Sequence, residues 1–285
     1  MTVVLVLLAA LANAGALVLL RKAALSEPAA PSFSLRQLWT LLHRPVWAGG
    51  MAMIFVGFVL QATALGIGAV SLVQLVLVLE LPFTLILGPI VLGGPLRTRE
   101  WTAIATMTVG VVLLLSMLEP RGGDPYSTGL TVWIIAATTT VAVIAGLVLL
   151  GRRRDGAAKA APFGVATGAA SGLIAVLTNA VLAAADGGIG GVFTTWWTYL
   201  LILTVPVGFF LLQGALQAGR LVASQPGITL ANPLVAAVWG IGIFDEDVRT
   251  GSWLIGALLG SVLIGAGAVL LSRSSLLEQQ QQQPS

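Results

Sequence analysis

Cysteine is absent from this 285-residue chain, and histidine occurs once. Without cysteine there is no disulfide, no thiolate nucleophile and no Cys-ligated metal, and the redox compartment stays undetermined. One histidine builds neither a zinc site nor a catalytic triad, so His43 reads as a loop or interface residue. Charge is scarce as well. Asp, Glu, Lys and Arg make up 9% of the residues, where a soluble domain carries about 25%. The H-E-x-x-H, G-x-S-x-G and P-loop patterns are missing, which removes the zinc-protease, serine-hydrolase and nucleotide-driven pump classes. No pair of aspartates falls inside the apolar runs, which argues against an intramembrane aspartyl protease. The chain is expected to be no enzyme and to use no cofactor or metal.

Apolar side chains fill the space left by charge. They account for 57% of the residues, and the mean hydropathy is +0.99. One globular core cannot hide that much apolar surface, and the bilayer is the natural solvent for it. Nine segments have the ~18–25 residues that a bilayer-crossing helix requires. They are 2–20, 46–66, 69–93, 100–118, 129–150, 161–184, 195–216, 220–243 and 252–272. The expected fold class is an all-α polytopic membrane protein with nine transmembrane helices. Between the first two spans, PSFSLRQLWTLLHRP (31–45) is too short and too charged to cross. It predicts an amphipathic interfacial helix with Trp39 toward lipid. The Gln-rich tail, 273–285, is low-complexity and expected to be unstructured. The first span resembles a secretory signal in length, but Arg21 and Lys22 follow it and nothing basic precedes it. That order reads as a retained helix.

The net charge of +3 and the pI of 10.0 do not indicate nucleic acid, because the basic residues lie between spans and form no stripe. They sort by side of the membrane. Arg21, Lys22, Arg36, Arg44, Arg97, Arg99, Arg152, Arg153, Arg154, Lys159, Arg220 and Arg273 fall opposite the N-terminus. Only Arg121 and Arg249 fall on the N-terminal side. The positive-inside rule then makes the first side cytoplasmic. The expected localisation is a bacterial-type cell membrane, N-terminus outside and C-terminus inside. Trp47, Trp101, Trp133, Trp196, Trp197 and Trp253 lie near span starts, as an interfacial aromatic belt would.

The chain also resembles itself. Gln74 is followed by Pro82 eight residues later, and then by RTREW (97–101). Gln225 is followed by Pro233 at the same spacing, and then by RTGSW (249–253). LQATALGIGA (60–69) answers LLQGALQAGR (211–220), and VVLLLS (111–116) answers AVLLS (268–272). More weakly, ANAGALVLL (12–20) answers AASGLIAVL (169–177). Spans 1–4 therefore pair with spans 6–9. A shift of five spans reverses orientation, so this is an inverted repeat of 4+1+4 design, an architecture of secondary transporters. The chain divides into a first repeat (1–118), a linking span with a basic loop (119–160), an inverted second repeat (161–272) and the tail (273–285).

HRPVWAGG (43–50), LQATALGIGAVSLVQ (60–74), the proline of the third span and the REW after it resemble the drug/metabolite transporter superfamily. FDEDVRTGSWLIGALLGSVLIGAGAVLL (244–271) resembles the EamA-type pattern of an acidic loop, a Trp and a Gly-rich closing helix. The nine-span layout looks most like the NIPA-like branch. The resemblance covers nearly the whole chain, and its motifs are structural. The first-half loop VLGGPLRTREW (91–101) lacks the acidic cluster, and a tenth span is missing. The resemblance implies a transporter and names no substrate.

Glu80 is the first candidate functional residue. It lies near mid-depth of the third span with no Lys or Arg inside any span to pair it. A carboxylate there must face a polar cavity, find a partner or take a proton. The functional reading is a proton-coupling or cation-binding group; the plain alternative is a neutral Glu bonded to a neighbouring helix. Pro82 and Pro233 are expected to kink their helices at matching places, a pointer to a binding site between the halves. Gln74, Gln225 and Asn232 flank those kinks and are the expected lining residues. Asn13, Gln61, Asn179, Gln213 and Gln217 are the other intramembrane amides, some of them interhelical glue. Gly164, Gly168 and Gly172, and Gly256 and Gly260, form close-packing stripes, with a homodimer contact as the alternative use. Asp245, Glu246 and Asp247 read as a solvated acidic turn, with attraction of cations at a pore mouth as the alternative.

These residues lead to the expectation of a secondary transporter for a small metabolite or drug-like solute, working by alternating access and coupled to protons through Glu80. A Mg²⁺ carrier of the NIPA-like type is the alternative within the family. A hard dication wants several oxygen ligands, and only one acidic residue is expected to be buried. A non-transporting scaffold or accessory subunit is the alternative from another class.

Overall fold

The computed structural model describes residues 1–25, 45–93, 96, 98–153, 157–185, 187–217 and 221–272. They form helices only: α1 (Thr2–Leu25), α2 (Pro45–Ile67), α3 (Val70–Leu77), α4 (Glu80–Leu92), α5 (Thr98–Leu118), α6 (Leu130–Arg152), α7 (Ala157–Ala185), α8 (Ile189–Thr194), α9 (Trp196–Gln217), α10 (Leu221–Gly242) and α11 (Trp253–Ser272). In hydrocarbon each backbone N–H and C=O must be paired within its own segment, which leaves the helix as the available form for apolar runs of this length. Seven segments among the described residues are long and apolar enough to cross a membrane, and Trp196–Leu212 and Gly227–Gly242 are shorter apolar helices. The chain is an all-helical integral membrane protein. Helix ends fall within a few residues of the expected spans, with two additions: the third span is divided, and α8 occupies the turn before α9. The interfacial helix expected at 31–45 lies outside the described residues up to Pro45, which opens α2; the tail 273–285 lies outside them too.

α7 is the central helix. It packs against α10, α9, α6 and α2, and touches α3. α1 packs on α2 and α4, while α5 packs on α11. The glycine stripes set how closely these pairs approach. A Cβ added at Gly168 would fall 2.5 Å from the Ile228 carbonyl oxygen, and one at Gly172 would fall 2.7 Å from that of Asn232. The α7 stripe is thus in contact with the α10 backbone. Gly110 and Gly260 face each other across α5 and α11, where a Cβ added at either would fall 2.8 Å from the other's carbonyl oxygen. Gly256 receives Met117. Both stripes are used inside the chain, as close-packing faces.

One end of the bundle is closed by side chains from distant parts of the sequence. Arg121 and Asp247 exchange backbone hydrogen bonds of 3.0 and 2.8 Å, and the Asp124 amide donates to the Phe244 carbonyl at 3.0 Å. Glu119 accepts from Arg121 and Arg249 at 2.7 and 2.8 Å. Beneath this, Trp133 lies against the rings of Trp196, Trp197, Trp239 and Phe244, with centroids 5.1–5.4 Å apart. Trp133 and Trp197 are buried, so they do not belong to a lipid-facing belt; they form the core of this closure. The Trp133 indole N–H donates to the Pro125 carbonyl, and that of Trp239 to the Thr140 hydroxyl. Trp101, Trp196 and Trp253 keep the exposed position expected of them.

A Gly260→Ala substitution forces α5 and α11 apart and is expected to lower stability by about 1–3 kcal/mol. Gly146→Ala places its Cβ in open space and is expected to be neutral or stabilising by up to ~1 kcal/mol. Unfolding midpoints of the purified variants in detergent separate the two; equal shifts would remove the close-packing role.

Candidate functional site

The third span is broken beside its acidic residue. α3 ends at Leu77 and α4 begins at Glu80. Across the break the hydrogen bonds tighten: Leu79 N–H donates to Val76 O at 3.0 Å and Leu81 N–H to Val78 O at 3.3 Å. Pro82 has no N–H to restore the α-helical pattern. Glu80 stands in the first turn of α4, where the helix dipole favours a negative group. The Asn13 side-chain amide, on α1, donates to Glu80 Oε2 at 3.4 Å. Gly57 on α2 leaves room for Asn13: a Cβ there would collide with Asn13 Oδ1. The matching Pro233 lies within a helix that runs without interruption from Leu221 to Gly242. The two prolines therefore sit in different local structures.

A separate cavity of about 210 Å³ lies between α2, α3, α7 and α10. Gln74 and Asn232, both expected lining residues, meet there, and Gln61 joins them. Ser171 and Thr178 complete the polar wall. Gln74 is 2% exposed, and its Nε2 has no hydrogen-bond partner; Asn232 Oδ1 is likewise buried and unpartnered. Glu80 is not part of this wall. Gln225 lies on α10, but its side chain falls outside the described ones. The structure thus brings Gln74 and Asn232 together and gives Glu80 a different neighbour. Asn179 is glue: its amide donates to the Leu65 carbonyl at 2.5 Å, near the end of α2.

Glu246 corrects the reading of the acidic turn. It is 4% exposed, and its carboxylate accepts from the Val70 amide at 2.5 Å, from the Ser71 amide at 3.3 Å and from the Ser71 hydroxyl. These are the first residues of α3, so a loop after α10 caps a helix 176 residues away. Gly123 and Gly240 flank the carboxylate, and a Cβ on either would clash with it. Glu100 is buried as well. The buried acidic side chains among the described residues are therefore Glu100 and Glu246, while Glu80 is half-buried. Burial pushes the Glu246 carboxyl above its ordinary 4.5, against the lowering pull of the Ser71 hydroxyl and the Ser71 and Val70 amides.

The sequence carries one feature that bears on the Asn13–Glu80 pair. In the internal alignment Asn13 stands opposite Ala170 and Glu80 opposite Ala231. Both members of the hydrogen-bonded pair become alanine together, which already ties Asn13 to Glu80. The niche of Glu246 has no such feature, because the residues that build it, Val70, Ser71 and Gly123, are far away in the chain.

Comparison with known proteins finds relatives of this chain. An uncharacterised protein of Corynebacterium glutamicum is 33% identical over 281 residues, covering 97% of this chain and 96% of that protein. The chain belongs to the same family as that protein. A probable magnesium transporter of Arabidopsis thaliana, NIPA9, is 24% identical over 256 residues, covering 86% of this chain and 74% of the plant protein. No protein-family profile matches the chain, and no solved structure does.

Glu246→Ala leaves the α3 amides unpaired and is expected to cost about 1–3 kcal/mol. Glu246→Gln keeps the shape and removes the titration. A carboxyl with a raised folded-state pKa holds its proton more tightly when folded, so its contribution is fully present below 4.5 and is lost as pH rises through the folded value. The midpoint of wild type relative to Glu246→Gln should therefore fall as pH rises from below 4.5 toward neutral. All other ionisable groups are common to both proteins and cancel. A gap independent of pH would mean that this carboxyl does not titrate in its niche.

Proposed function

We propose that the chain is a secondary transporter that moves a small solute by alternating access. The observation that carries this reading is the polar cavity between α2, α3, α7 and α10, where Gln74 and Asn232 leave hydrogen-bonding atoms unpartnered inside a membrane-spanning bundle. Unpaired polar groups at that depth are costly, and intramembrane polar residues mark substrate paths. A cavity of about 210 Å³ is below the ~300–1,000 Å³ of drug-sized sites, which favours a small metabolite. The similarity to NIPA9 supports the transporter class.

The nine-span, inverted-repeat design of the drug/metabolite transporter type belongs to the same reading. Helix packing supports it: α1 meets α2 as α7 meets α9, α1 meets α4 as α7 meets α10, and α4 meets α5 as α10 meets α11. α3 with α10, and α5 with α11, then pair a span with its own counterpart. In this reading Gln74, Gln225 and Asn232 face the solute. Glu80, steadied by Asn13, couples movement to protons, and the break beside Pro82 gives its helix a hinge. The Arg- and Lys-rich side is cytoplasmic, with the N-terminus outside.

Cation transport is the second reading, and the printed function of the plant relative favours it. Against it, no three His, Asp or Glu side chains converge among the described residues, whereas a hard dication takes several oxygen ligands, carboxylates among them.

Proteoliposomes carrying a pH-sensitive dye, given a panel of neutral metabolites and MgCl₂ with and without a pH gradient, test both readings. Glu80→Gln should cut gradient-driven uptake by about tenfold, within the ~1–3 kcal/mol range of site-to-site coupling. Unchanged uptake and pH dependence in that variant would end the coupling role.

A further inference from the structure

The cavity's inventory of donors and acceptors restricts what it can hold. Its polar groups come from Gln61, Gln74, Ser171, Thr178 and Asn232. None carries a charge. Ser171 donates its hydroxyl proton to the Thr167 carbonyl at 3.0 Å, and Thr178 donates its own to Ile174 at 2.7 Å. A hydroxyl has one proton, so both remain as acceptors. Asn232 Oδ1 is a buried acceptor without a partner, and Gln74 Nε2 a buried donor without one. Each amide holds both functions, so turning either one exchanges their places without changing the inventory. Phe58, Leu65 and Ile174 add apolar surface to the lining.

A charged guest finds no opposite charge among these residues, and burying an unpaired charge is strongly opposed. Glu80, the nearest candidate counter-charge by sequence, lies outside the wall and is engaged by Asn13. A hard cation would also meet the amide N–H of Gln74. The carbon body of a small polar molecule suits the Phe58 side, and its polar end suits the amides. The cavity is about 210 Å³, and water occupies about 30 Å³ per molecule in the liquid, so the space equals about seven waters.

We propose that this cavity binds an uncharged organic solute carrying both a hydrogen-bond donor and an acceptor, a small amide or polyol of about seven heavy atoms. The inference rests on the reading of the cavity as the transport site and names the substrate class for it.

The test uses the full chain, purified in detergent, and probes of matched size: butyramide and erythritol as neutral solutes, butyrate and butylammonium as charged ones, and MgCl₂. The expected result is a saturable rise in the unfolding midpoint with millimolar butyramide or erythritol and none with the other three. A binder of the folded state raises its apparent stability. Asn232→Leu and Thr178→Val should abolish the rise, which separates site binding from a general solvent effect. If either variant fails to fold, the contrast among probes on the unaltered chain decides alone. Saturable stabilisation by a charged probe or MgCl₂ without the neutral ones overturns the assignment, and so does silence from both neutral probes. Shrink–swell scattering of proteoliposomes supplies the second arm. Neutral binding without neutral flux overturns the transport reading and leaves the cavity assignment; flux of charged solutes alone does the reverse.

Discussion

In hydrocarbon an unpaired backbone amide or carbonyl costs several kcal/mol, of order 2–7 by transfer measurements, and this protein meets its departures from helix with polar side chains or with tightened backbone turns. Where α2 gives way to α3, Glu246 takes the first amides of α3 and Asn179 takes the Leu65 carbonyl. Where α3 gives way to α4, the turn tightens and Glu80 opens the new helix beside Asn13. Glu246, Asn179 and Glu80 thus stand where the backbone leaves the regular pattern, while Gln74 and Asn232 lie within helices and line the cavity. Glu246 arrives from the second half of the sequence to cap a helix of the first, so the closure of that end depends on both.

Glycine supplies the geometry that lets these residues meet. With no Cβ at Gly168 and Gly172, α10 approaches α7 to backbone contact, and Asn232 is carried to the wall opposite Ser171 and Thr178. Gly57 makes room for Asn13, while Gly123 and Gly240 make room for the Glu246 carboxylate. Each small residue is thus paired with one polar side chain or one backbone segment. Close approach of this kind replaces the hydrophobic drive that lipid cannot provide between helices.

The sequence similarity between the two halves does not bring similar chemistry. Asn13 and Glu80 stand opposite Ala170 and Ala231 in the internal alignment, and the break at Val78–Leu79 stands opposite an unbroken α10. The proposed coupling group and the proposed solute cavity are accordingly two places, one against α1 and one between α3, α7 and α10.

Length and hydropathy alone determined where the helices run, because each apolar run must satisfy its backbone internally and its limits are set by local composition. That Gln74 and Asn232 line one cavity was not legible, because the equal Gln-to-Pro spacing aligns Gln74 with Gln225 and sets Asn232 beside the counterpart of Glu80. Burial of Trp133, Trp197 and Glu246 was not legible either, because a tryptophan at a helix start and an acid in a turn look the same in sequence whether lipid, water or protein covers them. The exclusion of Glu80 from the cavity that holds Gln74, six residues away, was decided by the turn at Val78–Leu79 and by the approach of α1. These outcomes depend on contacts between residues far apart in the chain, and only the folded arrangement brings such residues within reach of each other.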